Sequence, residues 1–286
     1  INVFTNLFIG ISLGANVLTA RFYAAGREKE VSETVHTAIT LALVSGIVMA
    51  LVGLVFSMGA LALMGTPDDV IGLSALYMRI YFLGMPFFML YNYGAAILRA
   101  VGDTKRPLLF LVIAGVINAC LNMVLVIVFK LGVAGVAIAT VISQMISCVL
   151  VLRCLCRSES SYRLRFSELG MKGYYLKQIF SVGVPAGIQS TVINFSNVLL
   201  QSSVNSFGST AMAGYTAANN LLGFLYVSVN SITQACMSFT SQNYGVGKLK
   251  RMDRVLADCM ILSVVVAVVL GCICYGFGPE ILQIYT

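Results

Sequence analysis

Charge is scarce in this sequence. Only 10% of its 286 residues are charged, whereas 59% are hydrophobic and the mean hydropathy is +0.92. A soluble domain of this size uses about a quarter of its residues as charged ones to cover its surface, so the composition excludes a soluble globular protein. The apolar runs reach the roughly 20 residues that a helix needs to cross the hydrocarbon core of a bilayer. The sequence therefore predicts an all-α polytopic membrane protein.

Groups that carry catalysis are also missing. No Asp or Glu falls deep inside an apolar run, and the one histidine, His36, lies at the end of a predicted helix, where we interpret it as an interfacial side chain. The eight cysteines have no neighbouring histidines at zinc-site spacing, and the sequence has no phosphate-binding glycine loop. We therefore expect a protein that is not an enzyme and that uses no cofactor.

The apolar runs predict eight membrane helices. The turns after the first, third, fifth and seventh helices contain 16 of the 18 Lys and Arg residues. Because basic residues accumulate in cytoplasmic loops, we expect a multi-pass protein of the cell membrane with cytoplasmic basic turns. The net charge of +7 then reflects topology and not nucleic-acid binding. The predicted helices cover residues 1–22, 37–63, 72–98, 107–129, 133–156, 179–204, 213–243 and 255–276.

The sequence contains a weak internal repeat. Residues 19–29, TARFYAAGREK, align without gaps with residues 240–250, TSQNYGVGKLK, and both copies read helix, basic turn, helix. Such repeats are typical of transporters built from two similar bundles. We therefore predict a first transmembrane bundle at 1–156, a cytoplasmic linker at 157–178 and a second bundle at 179–286. Since the chain begins and ends inside apolar runs, we expect it to be a fragment of a longer parent.

A few residues within the predicted helices indicate how the helices pack. Arg79 is the one deep basic residue, and we expect its side chain to snorkel to the headgroups. Pro86 and Pro185 are expected to kink or to start their helices. Small residues permit close helix packing in membranes. The glycines expected to do so are Gly10, Gly14, Gly183 and Gly187.

Amides and hydroxyls recur inside the predicted helices. The sixth helix carries four of them at spacings of four, three and four residues, which places them on one face. Polar side chains in a membrane span face a bundle interior or a water-filled cavity, although interhelical hydrogen bonding would also account for individual residues. The long stripe favours a hydrated cavity. The residues predicted to line it are Asn118, Asn122, Thr140, Gln144, Ser190, Asn194, Asn197, Gln201, Asn219 and Asn230.

Several motifs resemble those of the multidrug and toxic compound extrusion (MATE) family. The most specific is the basic turn LRAVGDTKRPLL at residues 98–109, followed by GVINACLNMVLVIVFKLGVAGVAIATVISQ. The stretches SVGVPAGIQS and QNYGVGK fit the same family. The resemblance covers essentially the whole chain and corresponds to helices two to nine of the family's twelve. It implies an antiporter of two pseudo-symmetric six-helix bundles that exports organic cations and drugs by alternating access, in exchange for Na⁺ or H⁺.

The resemblance also implies site residues. The family's first bundle commonly has an Asn and, one turn later, an Asp on its fifth helix, near a Thr on its sixth. The matching residues are Asn118, Asn122 and Thr140. An Asn thus replaces the Asp, and Asn122 cannot titrate or contribute charge to an ion. The family's other coupling Asp lies on its first helix, which this chain is expected to lack.

A flippase for lipid II or a lipid-linked oligosaccharide, with a related two-bundle fold, is the alternative. Its diphosphate substrate would need several Arg or Lys in the cavity, and only Arg79 is placed for that. An intramembrane enzyme, a channel and a scaffold remain as further alternatives. For the antiporter we expect small organic cations or drugs and the lipid bilayer as partners, no nucleic acid, and a monomer. Leucine at Asn122 or Asn197 is expected to impair transport without preventing membrane insertion.

Overall fold

The computed structural model describes residues 2–63, 68–205, 207 and 209–283, and within them the secondary structure is helical, without strands. A π-turn at 124–128 extends one helix, and a 3₁₀ turn at 166–168 lies in the predicted linker. The α-helices are α1 (Asn2–Ala24), α2 (Glu28–Leu63), α3 (Asp68–Leu83), α4 (Met85–Ala100), α5 (Lys105–Met123), α6 (Gly132–Arg157), α7 (Gly173–Asn205), α8 (Ser209–Gly245) and α9 (Leu249–Gln283).

Each predicted helix is present, but the third is divided in two. The chain bends by 45° between α3 and α4, and the Gly84 N–H there bonds to the carbonyl of Tyr81 at 3.0 Å. Pro86 lies in the first turn of α4, where its missing N–H leaves no hydrogen bond unmade. Pro185 lies inside α7. The proline expectation is thus correct for Pro86, which starts a helix.

The predicted helix boundaries are least accurate where helices leave the apolar region. α2 begins at Glu28, nine residues before the apolar run, and α9 begins six residues before its run. The first turn of α2 is acidic, which suits the partial positive charge of a helix N-terminus. Hydropathy identifies the membrane-crossing part of a helix and misses its polar extension.

Most helices in the described part of the chain are suited to a membrane. α1, α2, α5 with its π-turn, α6 and α9 are each long and apolar enough to cross one, and α3 with α4 forms a sixth, bent span. α7 and α8 have 33 and 37 residues, which is ample length, but their amide and hydroxyl side chains lower the hydropathy. The molecule is therefore an all-α polytopic membrane protein whose polar side chains are concentrated in two helices.

The glycines of α1 and α7 form a seam, here called the glycine seam: Gly10, Gly14, Gly183 and Gly187. A Cβ added to Gly10 would meet the backbone of Gly187, and one added to Gly183 would lie 2.5 Å from the Cα of Ile11. The two helices run antiparallel, since Gly10 faces Gly187 while Gly14 lies beside Gly183. This confirms that these glycines allow close helix packing.

The two copies of the sequence repeat form the same turn. Gly26 and Gly247 both have a left-handed backbone, with φ of 69° and 71°. In each turn the glycine N–H bonds at 3.1 Å to the carbonyl of the tyrosine three residues earlier, Tyr23 or Tyr244. A left-handed residue just past a helix is a common C-terminal cap, and glycine adopts it without strain. The α1–α2 and α8–α9 connections are therefore structurally equivalent.

The predicted linker is folded against α1 and α2 at the end of the molecule that carries the basic turns, here called the basic end. Leu164 is buried there, and its N–H bonds to the carbonyl of Leu155 at 3.1 Å. Lys172 forms an ion pair with Glu33 of α2. The Arg165 guanidinium bonds to Glu168 at 2.9 Å and lowers the pKa of that carboxyl.

His36 holds the linker in place and is not the interfacial side chain that the sequence suggests. It is only 4% exposed. Its Nδ1 lies 2.7 Å from the carbonyl of Ser32, and its Nε2 accepts a hydrogen bond from the backbone N–H of Arg165 at 3.0 Å. A carbonyl only accepts and an N–H only donates, so the neutral ring with its proton on Nδ1 satisfies both.

Replacing His36 with alanine is expected to release the linker. The change leaves the Arg165 N–H, whose hydrogen bond is partly buried, without its acceptor, at a cost of about 1–2 kcal/mol. Trypsin, which cleaves after Arg163 and Arg165, should then cut the linker of the full-length protein about tenfold faster or more. The exposed linker variant Glu159→Gln is the control and should be cut at the original rate. Equal cleavage of all three proteins would contradict the role of His36.

Candidate functional site

A cavity of about 960 Å³ lies between six helices. It is lined by residues of α1, α4, α5, α6, α7 and α8, so that both halves of the predicted molecule contribute. The structure brings together six of the ten residues predicted for such a cavity. These are Asn118, Thr140, Gln144, Ser190, Asn194 and Asn230.

Asn122 lies directly behind this lining. Its Nδ2 donates a hydrogen bond to Oδ1 of Asn118 at 3.0 Å. Asn118 in turn donates from Nδ2 to the Ser143 hydroxyl at 3.3 Å, and that hydroxyl donates to the carbonyl of Thr140 at 2.8 Å. The Oδ1 of Asn122 is buried and accepts no hydrogen bond from the described residues. Asn122 therefore orients Asn118 and does not itself line the cavity.

The polar stripe of α7 extends past the cavity. Because α1 is antiparallel to α7 and Gly10 faces Gly187, Asn194 lies level with the first turn of α1. Asn197 and Gln201 lie farther along α7 and outside the lining. The prediction that these two residues line the cavity is therefore not met in this structure. Helical spacing gives the face of a helix but not the depth at which a cavity ends.

The same limit applies to α8. Asn230 lines the cavity, and Tyr226 is the α8 residue nearest the start of that helix to do so. Asn219, about two turns earlier, is exposed and lies outside the lining. Four predicted residues, Asn122, Asn197, Gln201 and Asn219, are thus not among those that line the cavity.

Two helices on which the sequence analysis placed no cavity residue, α1 and α4, contribute polar residues to the lining. On α4, Asn92 and Arg99 line the cavity, and on α1, Asn6 and Ser12 do so. Asn92 and Arg99 are seven residues apart, a spacing that puts them on one helix face and could have revealed them. In the sequence, Arg99 falls within the basic turn at residues 98–109, together with the charged residues that follow it.

The cavity is closed at the basic end by hydrogen bonds between α1, α4 and α8. Asn16 of α1 is buried, and its Nδ2 donates to the carbonyl of Ala96 at 2.8 Å. The Ser238 hydroxyl donates to Oδ1 of Asn16 at 3.0 Å. Closer to the turn, Nε2 of Gln242 donates to the carbonyl of Ala100 at 2.8 Å. Both polar atoms of Asn16 are therefore used to join three helices.

A second contact joins α1 to α8 at the same end. The guanidinium of Arg21 lies 5.0 Å from the centre of the Tyr244 ring, within the range of a cation–π interaction. The backbone of Arg21 also lies where a Cβ on Gly245 would be placed. The two equivalent turns of the repeat are thus packed against one another.

The cavity is polar but carries little charge. Among its described lining residues Arg99 is the one charged side chain, and none is acidic. In the described part of the chain, no three His, Cys, Asp or Glu residues come together in a group that could hold a metal ion. Arg79 is exposed on α3 and outside the lining, which agrees with a snorkelling side chain. A cavity with one basic residue does not support the flippase alternative, whose substrate needs several.

Comparison with known proteins gives related sequences over nearly the whole chain. The chain is 34% identical over 286 residues to "Probable multidrug resistance protein YoeA" of Bacillus subtilis (strain 168), covering 97% of this chain and 61% of that protein. It is 23% identical to "Multidrug export protein MepA" of Staphylococcus aureus (strain NCTC 8325 / PS 47), covering 98% of this chain and 61% of that protein. The chain thus spans about three fifths of the length of these relatives.

Solved transporters share the fold. An outward-facing multidrug resistance MATE family transporter of the MOP superfamily superposes with a TM-score of 0.90 at 20% identity, covering 99% of this chain and 63% of that chain. An inward-facing one superposes with a TM-score of 0.74 at 19% identity, covering 99% and 66%. The family model described as MatE matches residues 1–124 and 185–286. The chain therefore belongs to the MatE family, the multidrug and toxic compound extrusion transporters.

Proposed function

We propose that the full-length protein is a secondary active antiporter that exports organic cations and drugs in exchange for Na⁺ or H⁺. The observation that carries this proposal is the polar cavity of about 960 Å³, which is built from both halves and closed at one end. Ligand cavities of about 300–1,000 Å³ hold drug-sized molecules. The names of the relatives, a multidrug resistance protein and a multidrug export protein, support the same activity.

Alternating access accounts for the closed end. We infer that the basic turns are cytoplasmic, as positively charged loops generally are, and that the protein lies in the cell membrane. The hydrogen bonds of Asn16 then close the cavity on the cytoplasmic side, so the cavity faces outward. The higher TM-score with the outward-facing relative, 0.90 against 0.74, supports this assignment.

Ion coupling is expected to use a carboxylate outside the described cavity. Asn122 occupies the position where the family commonly has an Asp, and an amide neither titrates nor brings charge to a cation. We place the coupling carboxylate on the parent's first helix, as the family resemblance implies. No organic cofactor is needed, and we propose that the protein works as a monomer.

Transport in liposomes tests the proposal. The full-length protein is reconstituted, a fluorescent organic cation is added, and a Na⁺ gradient or a pH gradient is imposed. Movement of the dye under one gradient confirms antiport and identifies the ion. Folded protein that moves no dye under either gradient would refute the proposed function.

Replacing Asn118 with leucine is expected to reduce cation transport at least tenfold. The change removes an amide from the lining and leaves the Asn122 amide nitrogen without its acceptor, at about 1–3 kcal/mol, while the Ser143 hydroxyl keeps its hydrogen bond to the carbonyl of Thr140. Asn122→Leu should reduce transport less, because Asn118 keeps its bond to Ser143. The control is Asn220→Leu, which makes the same change on an exposed part of α8. The control should retain transport. Asn197→Leu should retain it as well, which differs from the expectation from sequence. An equal loss of transport in all four variants would contradict the cavity assignment.

A further inference from the structure

Two cysteines meet in the contact between α8 and α9, outside the cavity. Half-buried residues recur along α9 at Val255, Cys259 and Ser263, four positions apart, which marks one face of the helix. In the described part of the chain α9 packs against α8, so this face is turned towards α8. The thiol of Cys259 there lies within hydrogen-bonding contact of the thiol of Cys236. One cysteine of each helix is therefore placed beside the other.

Both thiols are free and half-buried. The Sγ of Cys236 has a second polar neighbour, the Thr240 hydroxyl at 3.9 Å in its own helix. A disulfide requires two cysteines whose side chains already point at each other, because the sulfur atoms must come within about 2.05 Å. Sulfur atoms that already touch need only a small shift to reach that distance. The pair thus meets the main geometric condition for a disulfide.

Two other cysteine pairs that are close in sequence do not meet this condition. Cys154 and Cys156 lie two residues apart on α6, and Cys272 and Cys274 lie two residues apart on α9. Residues two apart on a helix point about 200° apart around its axis. Closeness in sequence therefore separates these thiols, whereas the packing of α8 against α9 brings Cys236 and Cys259 together.

The pair lies near the polar part of α9, within reach of water. Cys259 directly follows Asp258, whose carboxylate lies 4.0 Å from the Arg254 guanidinium. The side chains of this ion pair are 84% and 70% exposed. A small neutral oxidant can therefore reach the half-buried thiols from the solvent at the basic end.

We propose that Cys236 and Cys259 form a redox modification site, which hydrogen peroxide converts to a disulfide that joins α8 to α9. The thiolate of one cysteine attacks a peroxide oxygen, the O–O bond breaks, and hydroxide leaves as the sulfur becomes a sulfenic acid. The second thiol attacks that sulfur, the S–S bond forms, and the sulfenic hydroxyl leaves with the thiol proton as water. Two thiols are oxidised, and one peroxide is reduced to two waters.

The disulfide would close a ring that contains the end of α8. Ser238 and Gln242, which close the cavity against α1 and α4, lie between Cys236 and Cys259 in the chain. The oxidised protein would then carry this closing segment fixed to α9. Cytosolic disulfides are transient and usually serve redox sensing or catalysis, which suits a pair at the end inferred to be cytoplasmic. The site itself does not depend on transport.

Peptide mapping of the folded full-length protein tests the site. The protein is treated in detergent with a small molar excess of hydrogen peroxide, its remaining thiols are alkylated, and it is unfolded and digested with trypsin. The two cysteines then fall on different peptides, which stay joined only through a disulfide. Mass spectrometry should find the joined peptides, and dithiothreitol should separate them. The cleavage sites between the cysteines are Lys248, Lys250, Arg251 and Arg254.

Matched variants show whether the pairing is specific. Cys236→Ser and Cys259→Ser should each lose the joined peptides, while Cys272→Ser, on the same helix as Cys259, should keep them. Protein unfolded before oxidation should lose the preference for this pair, because the preference depends on the packing of α8 against α9. Absence of the joined peptides from the folded protein would overturn the proposal. Equally abundant disulfides to Cys272 or Cys274, or sulfinic acids at Cys236 and Cys259 in place of the disulfide, would also overturn it.

Discussion

Adding one methyl group at Gly14 is expected to disrupt the packing of α1 against α7. A Cβ at this position would overlap the backbone carbonyl of Ile179 and come within 3.0 Å of the Gly183 nitrogen. A backbone cannot move aside as a flexible side chain can, so the helices must separate along the whole glycine seam. The Gly14→Ala variant should lose about 3 kcal/mol or more of stability, the range of severe single substitutions. It should also lose transport.

A glycine with free space around it provides the control. Gly223 of α8 has no atom within 4 Å of the Cβ that alanine would add. Alanine there should be neutral or should stabilise by up to about 1 kcal/mol, because it restricts the unfolded chain and favours helix. The measurement is the thermal unfolding of both full-length variants in detergent. Equal unfolding temperatures would show that α1 and α7 are not packed backbone to backbone.

Replacing Asn16 with alanine is expected to open the cavity at the basic end. The buried amide bonds to the carbonyl of Ala96 and to the hydroxyl of Ser238, and alanine makes neither bond. Losing two buried hydrogen bonds costs about 2–3 kcal/mol. In the proposed alternating-access mechanism only the closed state contains these bonds, so the equilibrium between the closed and the open state should shift by about 30- to 150-fold.

Spin labels on the two repeat turns measure this opening. Lys29 and Lys248 are exposed on those turns, and labels at these positions separate as α1 and α8 move apart. The eight native cysteines are first replaced so that only the two sites react. Asn16→Ala should lengthen the distance between the two labels, as measured by electron paramagnetic resonance, and should slow transport. Asn243→Ala is the control, because that amide bonds at 2.8 Å to the carbonyl of Phe239 in its own helix. An unchanged distance in Asn16→Ala would contradict the closing role of Asn16.

Features with a regular local pattern could be predicted from the sequence. Apolar runs give the helices, and the spacing of small residues gives the seam around Gly14 and Gly183. The basic repeat gives two turns whose glycines, Gly26 and Gly247, have the same φ to within a few degrees. Each of these depends on the chemistry of a few adjacent residues, which a sequence displays directly.

Features that depend on distant residues could not be predicted in the same way. The role of His36 requires the N–H of Arg165, which lies 129 residues away in the chain. Asn197 has the right helical phase for the cavity, but the end of the cavity is set by where α1 and α7 meet. In the sequence, Arg99 belongs to a charged turn. Only the packing of α4 against its neighbouring helices places it in the lining of the cavity. The depth at which a cavity ends and the direction of a side chain are set by tertiary contacts.

The glycine seam also affects how the two halves can move relative to each other. Helices with large side chains interlock as ridges in grooves, and sliding them requires side chains to leave one groove and enter the next. Between Gly10 and Gly187 the contact is backbone against backbone, without such ridges. Small shear displacements of packed helices are one way in which proteins change conformation. We therefore expect α7 to shift along α1 more readily than interlocked helices would, and the proposed alternating access would then change the orientation of the halves without breaking the contact that joins them.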